Sequence, residues 1–399
     1  MNTKLITMNS YVLWLGSIFD QKTVMSSKAI SPAANNWQLG LINQLSNKGM
    51  KVVTLGHTPE PIWPKGKLKM GHKQYKINNK IDCYITDYYN IPFIRKASLI
   101  EKYKTLFNVL ICKYGLPELV ISYNPYDHNS VTAINMQNNY QIPWVCIVAD
   151  MPTKQSDITK QNEYLSSSDG NIYLSWKMYQ NSESTNKFHL DGGIVDDHLE
   201  PFEFSNSQKH KNSILYAGSL TRWGGIDELL EAYELISNDN LELWICGPGE
   251  NDKVLNAAKS NKSIKYFGFV TKSELTQICK KASLFVNPRP AYVIGNESNF
   301  PSKLFEYLQH MKPIISTKTP GISPDYETIL ITPENDSPKA IASKITEVLD
   351  WDEDKTNQHI EKTLEFINQN KTWDIQSGRL IKWLIANFNI NSNNQDSEP

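Results

Sequence analysis

Residues 284–308 read LFVNPRPAYVIGNESNFPSKLFEYL, which is an apolar run, a polar loop and an amphipathic pattern in succession. The run at 284–286 is typical of a short buried strand. Pro301 suits the first turn of a helix because its missing N–H would have no partner there, and Ser298 or Asn299 can cap that turn. The segment therefore predicts a strand, a loop and a helix in that order, as in α/β folds.

Two charged side chains follow the start of the predicted helix. Lys303 and Glu306 lie one helical turn apart, so we expect both to point the same way. Free N–H groups and the macrodipole favour an anion at a helix N-terminus, and a lysine strengthens that preference. A diphosphate beside Lys303 and a ribose diol beside Glu306 would suit this arrangement. A surface helix with an i,i+3 salt bridge is the alternative interpretation.

The segment FPSKLFEYL at 300–308, followed by KPII at 312–315, resembles the donor-site segment of retaining family-4 glycosyltransferases of the GT-B type. Two glutamates separated by seven residues flank the sugar nucleotide in that family. Glu306 matches the second, whereas Ser298 stands at the first position and Glu297 lies one place early. The resemblance implies an α/β fold with two Rossmann-like domains, a cleft between them, and a C-terminal helix that crosses back to the N-terminal domain.

Residues 213–349 resemble the nucleotide-binding domain of the same family. By that resemblance Gly218 and Arg222 face the diphosphate, Gly247 and the backbone of Phe269 border the base, and Glu306 holds the ribose. Taking these with the candidates read directly from the sequence, we expect the donor to contact Gly16, Gly218, Ser219, Gly247, Phe269, Arg289, Asn299, Ser302, Lys303 and Glu306.

Positive charge is a second element of the family pattern that is displaced. Ser219 and Gly224 stand where the family commonly has an arginine and a lysine. We therefore expect Arg222, Arg289 or Lys303 to balance the diphosphate.

The first half of the chain opens with a strand at 11–15, a helix at 35–45 and a strand at 51–55, which is typical of a Rossmann-like domain. Gly16 ends the first strand, where it could approach a phosphate or sugar or serve only as a turn residue. Asp127 and His128 follow a predicted strand at 119–122. Ligands bind beyond the carboxyl ends of such strands, so both are candidates for the acceptor side, although Asp127 could simply cap a helix.

Chain length and segment composition suggest the domain limits. At 399 residues the chain suits two domains. We predict an N-terminal acceptor domain at 1–204, completed by a helix at 373–390, and a donor domain at 205–372. A polar linker is predicted over 201–212, and a disordered Asn/Ser-rich tail over 391–399.

The composition indicates the cellular compartment and the kinds of partner that the protein could bind. A net charge of −1 argues against nucleic acid as a partner. Five widely spaced cysteines without a CxxC motif are typical of free thiols in a reducing compartment, so we expect a cytoplasmic protein. Residues 61–80 carry six lysines and no acid, with Trp63 and Met70 interleaved. They could contact an anionic membrane or a lipid-linked diphosphate acceptor, or form a solvated hairpin.

The favoured function is transfer of a hexose from a nucleoside diphosphate sugar to a saccharide, lipid-linked saccharide or glycoprotein acceptor, in surface polysaccharide or glycoconjugate assembly. Retention of configuration is implied by the resemblance. The predicted catalytic residues are Lys303, Glu306, Arg222, Asp127 and His128. We expect no cofactor or metal, because the Asp350-Trp351-Asp352 motif lies in a charged connector. The alternatives are another GT-B enzyme, such as a sugar-nucleotide epimerase, and an inactive nucleotide-sugar-binding protein.

Overall fold

The computed structural model describes residues 10–27, 29–152, 154–195, 212–249, 251–388 and 390, which form two compact units. Unit 1 contains the described residues up to Leu174, those of Tyr179–Gly193, and those from Trp373 onward. Unit 2 contains Ser175–Met178 and the described residues of Ile194–Thr372. The predicted boundary at 204 and 205, the linker up to residue 211 and the tail at 391–399 lie outside the described residues.

Unit 1 is built on a sheet of mostly parallel strands. Its strands are β1 (Val12–Leu15), β2 (Val52–His57), β3 (Lys69–Met70), β4 (Lys73–Ile77), β5 (Ile81–Thr86), β6 (Tyr88–Tyr89), β7 (Leu119–Tyr123), β8 (Trp144–Val148), β9 (Gly170–Tyr173) and β10 (Lys187–His189). The main sheet has the order β10-β9-β8-β7-β1-β2-β5-β4, and only the edge strand β4 runs antiparallel to its neighbour. Strands β3 and β6 pair with each other as a small antiparallel ribbon.

Helices cover both faces of this sheet. They are α1 (Gln21–Ser26), α2 (Pro32–Asn47), α3 (Arg95–Tyr114), α4 (Asp127–Tyr140) and α5 (Gln155–Ser167), while the residues of α6 (Trp176–Asn181) are divided between units 1 and 2. Strand β1 explains why: Val12 and Trp14 belong to one buried cluster, and Leu13 and Leu15 to another. Because successive side chains point to opposite faces, an uninterrupted apolar strand must be covered on both sides.

Unit 2 contains a second, fully parallel sheet. Its strands are β11 (Asn212–Ala217), β12 (Leu241–Cys246), β13 (Ile264–Tyr266), β14 (Leu284–Asn287), β15 (Ile314–Ser316) and β16 (Leu330–Ile331). The order is β13-β12-β11-β14-β15-β16. All six strands run parallel, which confirms the Rossmann-like character predicted for this half of the chain.

The helices of unit 2 alternate with these strands. They are α7 (Ile226–Glu234), α8 (Asp252–Ser260), α9 (Lys272–Lys281), α10 (Lys303–Leu308), α11 (Pro338–Leu349) and α12 (Glu353–Phe366), with 3-10 turns at Arg222–Gly224 and Pro324–Thr328. Among the described residues, none of the helices combines the length and apolarity needed to cross a bilayer.

The last helix, α13 (Trp373–Phe388), returns to unit 1, as predicted. The rings of Trp373 and Trp37 on α2 meet edge to face, with centroids 5.6 Å apart. A Cβ atom at Gly40 would lie 2.2 Å from Nε1 of Trp373, so only glycine fits there. Gln376 donates to Oδ1 of Asp191 at 3.1 Å. Aromatic packing thus fixes α13 on α2, and the buried hydrogen bond joins it to the segment that follows β10.

Helix α10 is shorter than predicted. It begins at Lys303 and ends at Leu308, so Pro301 precedes the helix instead of lying in its first turn. Ser302 holds the N-cap position without a side-chain cap, and the predicted capping by Ser298 or Asn299 is wrong. Met311 follows in a left-handed conformation, with φ of 52°. The chain must turn there to enter β15, which limits the helix to six residues.

Candidate active site

Lys303 occupies a buried position at the carboxyl end of β11. Its Nζ atom lies 4.2 Å from the centre of the Tyr216 ring. A Cβ atom added to Gly218 would approach the same Nζ to 2.7 Å, so the glycine leaves the space that the lysine fills. Within the described part of the chain, this buried ammonium has no hydrogen-bond partner. An unpaired buried cation of this kind is suited to an anionic ligand.

Arg289 supplies a second positive charge near Lys303. Burial, followed by the Arg289 charge, lowers the pKa of Lys303 to about 7. Burial also lowers the pKa of the Arg289 guanidinium. Its Nε donates to Oδ1 of Asn296 at 2.6 Å, and no salt bridge among the described residues includes either cation. Two cations therefore share one region, and neither forms a salt bridge with a carboxylate of the described residues.

Asn296 organises the loop that carries Arg289. It is fully buried, and its Nδ2 donates to the carbonyl oxygens of Trp223 at 3.1 Å and Pro290 at 2.8 Å. One amide thus accepts from Arg289 while joining the 3-10 turn after β11 to the loop after β14. Sequence reasoning did not single out Asn296, since an asparagine in a polar loop carries no signal of burial.

The glycines at the strand ends pack against one another. Gly218 N–H donates to Cys246 C=O, and Gly247 N–H donates to Gly268 C=O, both at 2.9 Å. A Cβ atom at Gly247, whose φ is 152°, would lie 1.7 Å from the Gly218 oxygen. A side chain at position 247 is therefore excluded by the close approach of the neighbouring loop. A side chain at position 218 would instead meet the side chain of Lys303.

Two tyrosines hold the end of β11 in place. Ala217 N–H donates to Oη of Tyr307 at 2.8 Å, and the Tyr307 ring stacks on Phe285 with centroids 4.7 Å apart. Tyr216 donates its hydroxyl proton to Ser219 C=O at 2.6 Å. Neither tyrosine could be chosen from the sequence, because both are buried in strand or helix positions typical of a core.

Glu306 follows Lys303 on α10 and is partly buried. Its charge is one of the causes, after burial, that raise the pKa of Cys279, which places the carboxylate within electrostatic range of α9. The amine of Lys303 instead reaches towards Tyr216 and Gly218. The assignment of Glu306 to a ribose stays a prediction.

The other donor-site candidates in unit 2 differ in exposure. The side chain of Arg222 is exposed in its 3-10 turn, and no hydrogen bond or ion pair within the described ranges includes it. Phe269 is 65% exposed, and Ser219 and Ser302 are exposed as well. Oδ1 of Asn299 is buried and has no hydrogen-bond partner among the residues described. Asn299 and Lys303 thus both present unpaired buried polar atoms in the segment first singled out.

The packing of unit 1 explains why residue 16 is a glycine. A Cβ atom there would lie 2.4 Å from Oε1 of Gln38 and 2.6 Å from Nε1 of Trp14. Those two atoms are themselves hydrogen-bonded at 3.0 Å. The glycine is therefore required by packing within unit 1, whatever it contacts besides.

Asp127 lies in the first turn of α4 and is held by three partners. It pairs with Lys96 at 2.8 Å and with Lys160, and it accepts from the Tyr164 hydroxyl at 2.7 Å. Although burial opposes this, these hydrogen bonds lower the pKa of Asp127 to about 2. A carboxylate so stabilised is a poor general base, and it anchors α4 to its neighbours.

His128 belongs to a cluster of rings in unit 1. Its ring lies 4.7 Å from that of His57 and 5.0 Å from that of Tyr103, centroid to centroid. Nδ1 of His57 is 3.0 Å from the Tyr103 hydroxyl. Burial is the largest cause that lowers the pKa of His128 to about 4, and it lowers the pKa of His57 too. Both imidazoles are therefore neutral at pH 7.

The acidic motif at 350–352 and the cysteines carry no metal-binding geometry in the part of the chain that is described. Asp352 caps α12 by accepting from Lys355 N–H at 2.8 Å. No group of three His, Cys, Asp or Glu side chains there could hold a metal ion. The five cysteines are free thiols, four of them buried.

Comparisons with known proteins agree with this architecture. Residues 211–350 match the model of the family described as glycosyl transferases group 1. A search of curated proteins gives no match.

Solved structures similar to this chain span nearly its whole length. Sucrose-phosphate synthase from Thermosynechococcus elongatus has a TM-score of 0.71 at 15% identity, covering 94% of this chain and 99% of that one. The catalytic domain of starch synthase IV from Arabidopsis thaliana, bound to ADP and acarbose, has a TM-score of 0.66 at 9% identity, covering 96% and 100%. Anabaena Alr3699/HepE in complex with UDP also has a TM-score of 0.66, at 11% identity, covering 94% and 100%.

At such low identities the structural likeness establishes the fold, and the family match adds the activity. Residues 211–350 are a glycosyl transferases group 1 domain, and the chain is a glycosyltransferase with the GT-B fold.

Proposed function

We propose that this glycosyltransferase moves a hexose from a nucleoside diphosphate sugar to a hydroxyl acceptor, and that Lys303 and Arg289 bind the diphosphate. The observation that carries the assignment is the buried, unpaired ammonium of Lys303 beside Gly218. A diphosphate would supply the negative charge that this amine lacks among the described residues. It would also raise the pKa of Lys303 from about 7 and keep the amine protonated.

The reaction needs positive charge where the donor breaks. The bond between the anomeric carbon and the diphosphate oxygen breaks, and negative charge grows on that oxygen. A preorganised ammonium and guanidinium in a buried region stabilise this charge better than water does. The acceptor oxygen bonds to the anomeric carbon, and its proton passes to the departing phosphate.

Three further features belong to the same proposal. We infer retention of anomeric configuration, with the acceptor attacking from the face that the phosphate leaves. We assign no proton transfer to Asp127, because its ion pairs and low pKa favour the permanently ionised form. The ribose is assigned to Glu306 and the base to the loops at Gly247 and Phe269.

The partners follow from the resemblance and from exposed charge. We propose a saccharide, a lipid-linked saccharide or a glycoprotein as acceptor, used in surface polysaccharide or glycoconjugate assembly. We also propose that the reaction takes place in the cytoplasm and that the enzyme binds peripherally to the inner face of a membrane. The lysines at 65, 67 and 69 are exposed, which supports such contact.

A donor panel tests this function. UDP-, GDP- and ADP-sugars are scored by calorimetry for binding and by release of nucleoside diphosphate for transfer to water. We expect one base to bind with slow release, and Lys303→Met to weaken both the sugar nucleotide and the nucleoside diphosphate. Lys262→Met, at an exposed lysine of unit 2, is the matched control. Tight binding with no release from any donor, with or without added saccharides, would support the inactive binding protein instead.

Metal independence needs its own measurement. In this proposal Lys303 and Arg289 supply the positive charge that other glycosyltransferases take from a metal cation, so we expect donor hydrolysis to persist in excess EDTA. Loss of the activity in EDTA and its recovery with Mg²⁺ would contradict this part of the proposal.

A further inference from the structure

A cluster of large apolar side chains stands exposed on unit 1. Two segments carry it, one at 61–69 and the other at 88–94. We call this surface the apolar knob, and its exposed side chains are Ile62, Trp63, Leu68, Tyr89, Phe93 and Ile94. Each is between 41% and 103% exposed. Single exposed apolar residues are ordinary, but six within one small substructure mark an interaction surface.

The apolar knob is a built structure and not a loose loop. Asn90 is fully buried at its centre, and its Nδ2 donates to Pro61 C=O at 2.7 Å and to Lys67 C=O at 2.9 Å. Trp63 N–H donates to Asn90 C=O, and Asn90 N–H donates to Leu68 C=O, at 3.0 and 2.8 Å. Strands β3 and β6 join the same two segments. The exposed side chains are therefore displayed from a fixed frame.

Phe93 is the most prominent member of the knob. Its relative exposure of 103% means that the ring projects beyond its neighbours. Its φ is 67°, in the left-handed region that bulky residues rarely adopt. Backbone strain of this kind is costly, and no burial of the ring offsets it in the free protein. A partner that buries the ring would supply the missing stabilisation.

The charge around the knob is positive. Lys65, Lys67 and Lys69 are exposed on the first segment, and no salt bridge within the described residues includes any of them. The chain has no acid between Pro61 and Ile81. The nearest preceding acid, Glu60, accepts a hydrogen bond from Lys67 N–H at 3.2 Å. Three lysines without a salt bridge among the described residues thus share a segment with exposed apolar side chains, and the Nζ atom of Lys69 lies 5.4 Å from the centre of the Tyr89 ring.

We propose that the apolar knob docks onto an anionic lipid bilayer. Tryptophan and tyrosine prefer the boundary between headgroups and acyl chains, and projecting Phe93, Leu68 and Ile94 can enter the hydrocarbon edge. Lysine ammonium groups meanwhile contact the lipid phosphates. An acidic protein partner would use the lysines but would need a complementary cavity for a projecting ring. A bilayer accepts the ring without one.

This inference deepens the membrane contact included in the proposed function, but it does not depend on sugar transfer, because it requires only that the surface be present. Two sets of variants separate the contribution of the apolar side chains to membrane binding from that of the lysine charges. Phe93→Ser with Leu68→Ser removes apolar contact, and its matched control is Leu235→Ser with Leu255→Ser, both exposed in unit 2. Lys65→Gln, Lys67→Gln and Lys69→Gln together remove charge, and their control is Lys259→Gln, Lys262→Gln and Lys272→Gln, also exposed in unit 2.

The experiment is co-sedimentation of the full chain with phosphatidylcholine vesicles, alone or with about one third phosphatidylglycerol. We expect binding to the anionic vesicles only, at least tenfold weaker in the apolar variant. The triple lysine variant should lose roughly a hundredfold, since each lysine near an anionic surface contributes about fivefold. Both control variants should bind like the wild-type chain.

Several outcomes would overturn the proposal. These are no binding to anionic vesicles, equal losses in the controls, or equally tight binding to soluble polyglutamate that Phe93→Ser with Leu68→Ser does not weaken. The last would assign the surface to an acidic macromolecule. Melting temperature and binding of nucleoside diphosphates are measured on every variant, and we expect both to stay unchanged. Vesicle results therefore remain interpretable whether or not the donor assignment holds.

Discussion

The Nζ atom of Lys303 lies 4.2 Å from the centre of the Tyr216 ring, at the end of the strand that opens unit 2. Lys312 provides a contrast nine residues later. Its buried ammonium donates to the carbonyl oxygens of Cys279 at 3.0 Å and Lys280 at 2.6 Å, and to that of Ala282. One buried lysine is thus fully hydrogen-bonded by the protein, whereas Lys303 has only an aromatic face within the described residues. That difference is why we propose ligand binding for Lys303 and a structural role for Lys312.

The first prediction concerns stability without ligand. The pKa of Lys303 is lowered to about 7, below the value of an unfolded lysine, so the unfolded chain binds more protons between about pH 7 and 10.5. The free energy of unfolding should therefore rise with pH across that range. Below pH 7 the charged amine destabilises the fold by up to about 5 kcal/mol. Lys303→Met should raise stability at pH 6.5 by a few kcal/mol, measured by urea denaturation, and should remove this pH dependence. Equal or lower stability of the variant would contradict a buried unpaired charge, and Lys262→Met serves as the control.

The second prediction concerns the uptake of a proton when a diphosphate binds. A bound diphosphate should keep Lys303 protonated, so binding at pH 8 should take up nearly one proton, and binding at pH 6.5 much less. Calorimetry of nucleoside diphosphate binding in HEPES and in Tris, which differ in ionisation enthalpy, measures this uptake. Lys303→Met should show no such uptake at pH 8. If the binding enthalpy of the wild-type enzyme were the same in both buffers, the assignment of Lys303 to the diphosphate would be wrong.

The third prediction concerns the ribose. Glu306→Ala removes a charged hydrogen bond, which should cost about 1.5–3 kcal/mol, or roughly tenfold to a hundredfold in donor affinity. Free nucleoside should lose as much affinity as nucleoside diphosphate, because the carboxylate acts on the sugar ring. Lys303→Met should instead spare the nucleoside. Glu334→Ala, at an exposed glutamate of unit 2, is the control. Unchanged nucleoside binding in Glu306→Ala would remove Glu306 from the site.

The fourth prediction concerns the ring cluster of unit 1. Burial lowers the pKa of His128 to about 4 and lowers that of His57, so both are neutral when folded, while an unfolded histidine titrates near pH 6.5. The unfolded chain binds more protons in this window, and stability should fall as pH drops from about 6.5 towards 4. His128 alone should contribute up to about 3 kcal/mol of this loss. Denaturation curves of His128→Gln should therefore depend less on pH than those of the wild type. Replacement of exposed His72 by glutamine should leave that dependence intact, and the same result for His128→Gln would show that its burial is immaterial.

The strands could be predicted because continuous apolar runs leave little freedom. The strands predicted at 284–286 and 119–122 are observed as Leu284–Asn287 and Leu119–Tyr123, one residue longer in each case, since a strand buried on both faces needs an unbroken apolar run. The ends of α10 could not be predicted, because the turn at Met311 depends on where β15 lies in the sheet. Helical periodicity alone would have extended the helix.

Lys303, Arg289 and Gly218 were singled out from the sequence, but their contacts were not foreseen. Propensities describe single segments, whereas Tyr216 meets Lys303 across 87 positions, the difference of their residue numbers. His57 was missed for the same reason, since only the fold brings it to His128. The apolar knob was half foreseen: the lysines were visible, but Phe93 became prominent only through its exposure and backbone conformation.

The packing of α13 against α2 has a consequence for biosynthesis. Trp373, Leu380 and Leu384 complete a hydrophobic core whose other members include Val12, Trp37 and Leu41. A ribosome delivers the sequence of the sheet of unit 2 in full before it delivers this last helix. The core of unit 1 therefore cannot be completed, and one of its apolar faces stays uncovered, until unit 2 has been translated.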